Sequence, residues 1–530
     1  MTDGPPGGGR PAADIDAVDL QILRTQLESV AEEMGEVLVR GAYSPNITER
    51  RDCSTAVFDA AGRLVAQAEH IPVHLGAMPE AVDAVLDCDP EPGEVWALND
   101  PFRGGTHLPD VTLVSPIGRD GEVAGYAVSR AHHADVGGMA PGSMPAGARD
   151  VHQEGLRVPP VVLVADGERR ADVEALLFAN VRNPTARRAD LRAQLGANAC
   201  GAERITGLFD RHGDRLHRAF DAVVDYSRER VEAELAALPD GSYSASDALE
   251  GDGVTDEDVP IAVNITLEGS EMTVDFAGTA DQVAGNLNAP LAVARSAVYF
   301  VLRCVTDPDI PPNAGCYEPV TVTAPEGSLL DPEPPAAVVG GNVETSQRVT
   351  DVVFAALAEA APGRVPAMGQ GTMNNVVVGG PDFAYYETVG GGAGATPDAD
   401  GASGVQVGMT NTLNTPIEAL EAAYPLRVTE YALRRGSGGA GRHRGGDGLV
   451  REFRLLRGAT LSLLTERRRH PPRGLSGGDP GARGRNLVDG EPVPAKVTRD
   501  VDAGTRVRLE TPGGGGFGTP AADAPDAPDS

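Results

Sequence analysis

The chain is short of positive charge and of aromatic side chains, and the first shortage excludes two classes of partner. Lysine and arginine total 45 against 77 aspartates and glutamates, which gives a net charge of −32, and aromatic residues make up only 4%. Lys496 is the only lysine. A chain this acidic repels nucleic-acid phosphates and anionic lipid head groups, so we expect neither a nucleic-acid partner nor a membrane partner.

Several sequence patterns are also missing. The five cysteines are widely spaced without a Cys-x-x-Cys pair, which favours reduced thiols over a disulfide framework. No signal-peptide pattern opens the chain, and no run approaches the roughly 18 apolar residues that cross a bilayer. We therefore predict a cytoplasmic protein.

The phosphate-loop pattern Gly-x-x-x-x-Gly-Lys-Ser/Thr does not occur, so ATP chemistry is not expected in this chain alone.

Length and composition predict a folded protein of several lobes. The 530 residues exceed what one hydrophobic core usually serves, and 41% apolar with 23% charged residues is typical of globular chains. We predict an α+β fold with mixed sheets, in which a helical segment follows an N-terminal β-rich, metal-binding lobe. The expected parts are disordered tails at 1–13 and 519–530, a metal-site lobe with its helical segment at 14–240, an α+β lobe at 241–350 and a glycine-rich lobe at 351–518.

Local patterns support this outline. Leu20, Leu23, Leu27 and Met34 recur at helical spacing. Short apolar runs at 111–114 and 123–128 predict strands, the segment 265–276 predicts a hairpin, and 293–305 predicts a buried helix.

Histidines are concentrated in one part of the chain. Six of the ten, His70, His74, His107, His132, His133 and His152, fall between residues 70 and 152. Imidazole is a common metal ligand, and histidines mixed with carboxylates suit transition metals better than calcium or magnesium. The segment 99–110 places His107 and Asp110 three residues apart after a Gly-Gly turn, so both can reach one ion.

A third ligand is expected from His132 or His133, which follow a strand-like run. Adjacent strand residues point to opposite faces, so only one of the two should bind the ion. His70 and His74 are weaker candidates, because Pro72 disfavours the helix that would align them. The alternative is that these are hydrogen-bonded loop histidines.

Two further segments leave their roles open. The charge run at 49–52 is equally consistent with a solvated loop and with a functional segment. The glycines at 390–394 can cradle an anion through backbone N–H groups or form a plain turn.

Several motifs make the sequence resemble the B subunit of N-methylhydantoinase, a family related to the C-terminal half of 5-oxoprolinase and to a carboxylase subunit. Examples are Gly-Thr-His-Leu-Pro-Asp at 105–110 and Gly-Gly-Asn-Val-Glu-Thr-Ser-Gln-Arg at 340–348. The other matching stretches are 49–53, 62–76, 99–104, 131–138, 142–145, 153–157, 409–412 and 437–446.

The resemblance implies a hetero-oligomer in which an A-type subunit uses ATP to activate a substrate carbonyl and the B-type subunit completes the reaction. In the related acetone carboxylase the B-type site holds manganese. Carried over by motif, the ligands of a divalent manganese, zinc or iron ion would be His107, Asp110 and His132. The residues expected to orient those ligands or to transfer protons are Asp100, His133 and Asp135.

The expected reaction is hydrolysis of a small cyclic amide, either a hydantoin or a lactam. One alternative is a carboxylase subunit, in which the same ion stabilises an enolate. The other is a non-catalytic scaffold that supports the A-type subunit.

Overall fold

The computed structural model describes residues 15–69 and 71–520. Within them four β-sheets combine with long helices, which confirms the predicted mixed α and β fold. The predicted tails lie outside the described residues, apart from Thr519 and Pro520. In this part of the chain, none of the helices combines the length and the apolar character that crossing a bilayer demands.

The N-terminal region is built from one sheet and its covering helices. Its helices are α1 (Ala17–Gly41), α2 (Pro45–Thr48), α3 (Ala77–Leu86), α4 (Val151–Glu154), α5 (Ala171–Ala179), α6 (Pro184–His212) and α7 (Arg215–Ala236). Its strands are β1 (Cys53–Asp59), β2 (Leu64–Glu69), β3 (Val95–Leu98), β4 (Asp110–Arg119), β5 (Glu122–His132), β6 (Val161–Ala165) and β7 (Glu168–Arg169). The strands pair antiparallel in the order β2-β1-β5-β4-β3-β6-β7.

Both faces of this sheet are covered, which explains its continuous apolar runs. Alternate residues of β1 divide between two cores: Val57 joins the side chains of α1, α6 and α7, whereas Phe58 joins those of α3. The helix predicted from Leu20 onward is confirmed as α1, and the Asp16 carboxylate caps it by accepting the N–H groups of Val18 and Asp19.

The middle region contains a four-stranded sheet and two buried helices. The elements are β8 (Gly241–Glu250), β9 (Asp258–Glu268), β10 (Glu271–Asp275), α8 (Leu291–Val305), β11 (Val320–Thr323) and α9 (Ser346–Leu357). The predicted hairpin is confirmed as β9 and β10, and the predicted buried helix as α8. A π-helical turn, Gly341–Thr345, directly precedes α9.

The C-terminal region contains two further sheets that face one another. Its elements are β12 (Asn375–Gly379), β13 (Ala384–Thr388), α10 (Ile417–Ala423), β14 (Leu426–Arg434), β15 (Gly448–Leu455), β16 (Ala459–Leu464), β17 (Arg485–Val488), β18 (Glu491–Pro492), β19 (Lys496–Val501) and β20 (Arg506–Glu510). One sheet has the order β13-β12-β16-β19 and the other β14-β15-β20-β17-β18. Side chains such as Leu461 from the first and Phe453 from the second share one core.

Glycine segments pack backbone against backbone beside these sheets. A Cβ atom on Gly394 would lie 1.7 Å from the Ala367 carbonyl oxygen, and one on Gly514 would lie 1.9 Å from that of Ala393. Gly514 N–H donates to Gly446 O, and Gly446 N–H donates to Ala393 O. Only glycine permits chains to approach this closely, which accounts for the glycine density after residue 340.

Candidate metal centre

Two neighbouring strand ends bring three of the predicted residues together. Asp110 begins β4 and His132 ends β5, and the two stand opposite each other in the antiparallel register. His107 lies in the loop before β4, where a turn joins the Asp110 N–H to the His107 carbonyl oxygen. All three side chains are buried.

The nearest atoms of these side chains form a small triangle. Asp110 Oδ1 lies 3.0 Å from His107 Nε2 and 3.1 Å from His132 Nδ1, and the two nitrogens are 3.2 Å apart. Two ligand atoms that each lie about 2.1 Å from one ion are about 3.0 to 3.4 Å apart at octahedral or tetrahedral angles. The triangle therefore has the dimensions of one face of a metal coordination shell.

His74 joins the same cluster from a neighbouring segment. Its Nε2 lies 3.4 Å from Asp110 Oδ2, and its Nδ1 is 2.9 Å from Ser54 Oγ. The 3₁₀ turn Pro72–His74 turns this imidazole inward. Pro72 is incompatible with an interior helical position but fits the start of such a turn, so His74 is a stronger candidate than its sequence context indicates. His70 lies outside the described residues.

The donor atoms fit a divalent transition metal. Buried polar atoms almost always have hydrogen-bond partners, yet His74 Nε2, which lies beside Asp110 Oδ2, makes no hydrogen bond among the described residues. A set of imidazole nitrogens and one carboxylate suits manganese, iron or zinc. The residues present therefore match the predicted kind of ion.

Electrostatics within the cluster favour a cation. Burial alone would raise the pKa of the Asp110 carboxyl, but the neighbouring imidazoles of His107, His132 and His74 hold that pKa well below its usual range. Burial lowers the pKa of His107. The cluster therefore presents a carboxylate anion beside an uncharged imidazole, and metal ligands must be in these deprotonated forms.

Further residues, which the sequence patterns did not mark as site residues, hold the cluster in place. The Tyr386 ring stacks on His132 with centroids 4.6 Å apart, and the Arg50 guanidinium lies 4.8 Å from the Tyr386 ring centroid. Asn342, on the π-helical turn, donates weakly to Asp110 Oδ2 at 3.5 Å. Single π-helical turns occur frequently at functional sites. Asn342 lies in the motif at 340–348, whereas no sequence signal marked Tyr386.

The charge run at 49–52 is solvated only in part, because two of its four residues are buried. Arg50 is fully buried and Asp52 is 4% exposed, and Asp52 lines the cavity that holds the cluster. Arg50 donates to Tyr386 O at 2.9 Å and to Thr388 Oγ1 at 3.0 Å. The segment therefore forms part of the wall of the candidate site.

Asp100, His133 and Asp135 make their contacts elsewhere, and none of them lines the cluster's cavity. Asp100 accepts the Phe102 N–H. His133 lies on the opposite face of the strand end from His132, with Nε2 2.9 Å from Gln194 Oε1. Asp135 accepts the N–H groups of Gly137 and Gly142 and pairs with Arg182.

A larger cavity adjoins the cluster. The space at the cluster is about 10 Å³, which accommodates an ion or one water and no ring. A second cavity of about 640 Å³ is lined by Pro72, Gln347 and Gln406. Their neighbours Ile71, Val343 and Thr388 line the small one, and Gln406 Nε2 lies 3.3 Å from Thr388 O. Residues that neighbour each other in the sequence or share a hydrogen bond therefore line the two spaces.

A buried set of imidazoles and a carboxylate at the ends of two central strands defines a candidate metalloprotein. The sequence identifies its family: the chain belongs to the Hydantoinase B/oxoprolinase family, whose pattern matches residues 16–520.

Relatives extend over nearly the whole chain. An uncharacterized protein of Methanocaldococcus jannaschii is 41% identical over 517 residues, covering 96% of this chain and 91% of that one. 5-Oxoprolinase 1 of Arabidopsis thaliana is 40% identical, covering 95% of this chain and 42% of that protein. The putative B-type subunit of a D-/L-hydantoinase from Pseudomonas sp. is 31% identical, covering 97% and 91%. The chain therefore spans less than half of the plant 5-oxoprolinase.

Two solved structures share the fold. The ATP-dependent caprolactamase from Pseudomonas jessenii superposes with a TM-score of 0.89 at 31% identity, covering 95% of this chain and 91% of that one. The nucleotide-free acetone carboxylase superposes with a TM-score of 0.84 at 19% identity, covering 94% and 75%.

Proposed function

We propose that the chain is the B-type subunit of an ATP-dependent enzyme that hydrolyses a cyclic amide at a metal site. The buried triangle of His107, Asp110 and His132 is the observation that carries the proposal. The names of three similar proteins support the reaction class, because 5-oxoproline, hydantoin and caprolactam are all cyclic amides.

In this proposal His107, Asp110 and His132 hold a divalent manganese, zinc or iron ion, and His74 offers a further nitrogen. Such an ion, when bound, lowers the pKa of a coordinated water or polarises a carbonyl group. Tyr386 fixes the plane of the His132 ring by stacking on it.

Asp100, His133 and Asp135 have a positioning role in this proposal, and the contacts of His133 are the ones that support it. Gln194, which pairs with His133, also donates to Val111 O of β4 and weakly to Ser129 O of β5. It therefore ties together the two strands that carry the ligands.

We assign ATP use to an A-type partner, because the phosphate-loop pattern does not occur in this sequence. The proposed complex is a hetero-oligomer. The 5-oxoprolinase relative supports this arrangement, since more than half of its length lies outside the matched region. The cavity of about 640 Å³ is the proposed ring site, because it adjoins the cluster and has room for a ring.

The test is reconstitution with an A-type subunit, ATP and a cyclic amide, with chromatographic measurement of the ring-opened product. His132→Ala should lose turnover, whereas His443→Ala, a histidine that pairs with Asp400 at the surface, should keep it. Full activity of His132→Ala would contradict the proposal and favour a scaffold.

The same assay separates hydrolysis from carboxylation. ATP consumption that requires bicarbonate, without any ring-opened product, would favour a carboxylase subunit, for which the acetone carboxylase fold is the supporting observation.

A further inference from the structure

The wall of the larger cavity carries an arginine that is only partly engaged. Arg473 lines the cavity, and its side chain is 53% exposed. Its Nη2 donates to Ser246 O at 3.2 Å and lies 3.4 Å from Asp247 Oδ2. Within residues 15–69 and 71–520 both of its polar contacts use Nη2, so the Nε and Nη1 N–H groups remain available to a ligand.

Asp247 does not neutralise Arg473, because two other arginines share its carboxylate. Asp247 Oδ2 lies 3.2 Å from Arg348 Nη1 and 3.0 Å from Arg467 Nη2. Both of these side chains are almost completely buried. Their pairing with Asp247 is therefore closer and better shielded from water than that of Arg473.

The ion pairs connected to Asp247 carry a surplus of positive charge. They join the cations Arg348, Arg467, Arg473 and Lys496 to the carboxylates Asp247, Asp351 and Glu466. Four cations against three carboxylates leave one positive charge, in a chain whose net charge is −32. The other three cations are buried, and Arg473 is the one of the four that lines the cavity.

Other groups of the same wall do not compete for an anion. Arg364 also lines the cavity, but Glu234 pairs with it. In the glycine segment 390–394, the N–H groups of Gly391, Gly392 and Ala393 donate to backbone carbonyl oxygens, so these three groups are not available to an anion. Asp351 reaches the wall, but its carboxylate is held by Arg467.

We propose that Arg473 is an anion-recognition residue that binds a carboxylate or phosphoryl group carried by the ring in this cavity. The guanidinium charge attracts either anion, and the free Nε and Nη1 N–H groups can each donate to an anionic oxygen. Phe300, Phe354 and Leu475 form an apolar part of the same wall and accept the body of the ring. The inference rests on the proposed function only in taking a cyclic amide as the ligand.

The experiment compares two rings that differ by one carboxylate, 5-oxoproline and 2-pyrrolidinone, together with inorganic phosphate. Binding is measured by calorimetry on the full chain without nucleotide or partner. The proteins are the wild type, Arg473→Gln, Arg473→Lys and the control Arg364→Gln, which changes a neutralised arginine of the same cavity.

If the ring supplies a carboxylate, the wild type binds 5-oxoproline about tenfold tighter than 2-pyrrolidinone. Arg473→Gln removes that difference, Arg473→Lys keeps part of it, and Arg364→Gln leaves it unchanged. If the anion is a phosphoryl group, the two rings bind with equal affinity. Inorganic phosphate then binds the wild type, and Arg473→Gln weakens that binding.

The proposal is overturned if no anion binding depends on Arg473, or if Arg364→Gln weakens binding as much as Arg473→Gln does. These titrations need no partner and no ATP. A failed ring-opening assay therefore leaves their result intact, and failed anion binding leaves the metal assignment intact.

Discussion

Asp110 and His132 stand directly opposite each other on adjacent antiparallel strands, with Oδ1 3.1 Å from Nδ1. The register of β4 and β5 therefore sets the dimensions of the candidate metal site. A slip of one residue would turn His132 to the other face of the sheet, where His133 now contacts Gln194.

A first prediction concerns Glu344, on the π-helical turn. Burial, and secondly the nearby Glu466 carboxylate, raises the pKa of Glu344 to about 7. The folded state holds this proton more tightly than the unfolded chain does. The contribution of protonated Glu344 to the free energy of unfolding is therefore fully present below about pH 4.5 and is lost as pH rises through about 7. The loss is on the order of 3 kcal/mol.

Urea titrations at pH 5 and pH 8 check this expectation. The free energy of unfolding of the wild type, relative to that of Glu344→Gln, should fall by about 2.5 kcal/mol between the two pH values. A constant difference between the two proteins would show that Glu344 does not hold a proton in the folded state.

A second prediction concerns the glycine packing. Gly514→Ala would place a methyl group 1.9 Å from Ala393 O, so we expect it to lower the free energy of unfolding by about 2 to 3 kcal/mol. Gly207 lies in α6 with no atom near its would-be Cβ, and Gly207→Ala should instead stabilise the chain by up to about 1 kcal/mol. Equal effects in thermal or urea unfolding would refute the close-packing account.

A third prediction concerns Lys496, the only lysine. It pairs with the fully buried Glu466, so Lys496→Met should cost about 3 kcal/mol by removing one of the two cations that pair with this buried carboxylate. Arg457, which pairs with Asp382 at the surface, is the matched control, and Arg457→Met should cost less than about 1 kcal/mol. A similarly small loss in the free energy of unfolding for both variants would show that the pairing of Lys496 with Glu466 contributes little to stability.

Residue patterns predicted the secondary structure wherever the spacing was regular. The helix α1, the strands β4 and β5, the hairpin of β9 and β10 and the helix α8 all match the expected segments. The lobe boundaries at residues 240 and 350 stay predictions.

The candidate site was predictable where its residues are close in sequence. His107 and Asp110 are three residues apart, and His132 ends an obvious strand. His74 and Tyr386 come from distant segments, and only the tertiary packing of β2, β5 and β13 brings them together. The spacing of residues along the chain does not show contacts between distant segments. The 3₁₀ turn at Pro72 is also too short to produce a periodic pattern.

The buried charges were also beyond sequence reasoning. The run at 49–52 has the composition of a solvated loop, yet Arg50 is buried because backbone and hydroxyl oxygens of β13 and of Thr412 surround its guanidinium. Burial of that kind depends on partners more than 300 positions away, which composition does not reveal.

The central claim is the metal site, and elemental analysis tests it most directly. Plasma mass spectrometry of the purified wild type, His132→Ala and His443→Ala compares a proposed ligand with a histidine outside the site. We predict close to one equivalent of manganese, zinc or iron in the wild type and in His443→Ala, and almost none in His132→Ala. Folded wild type without metal, or equal metal in both variants, would contradict the account.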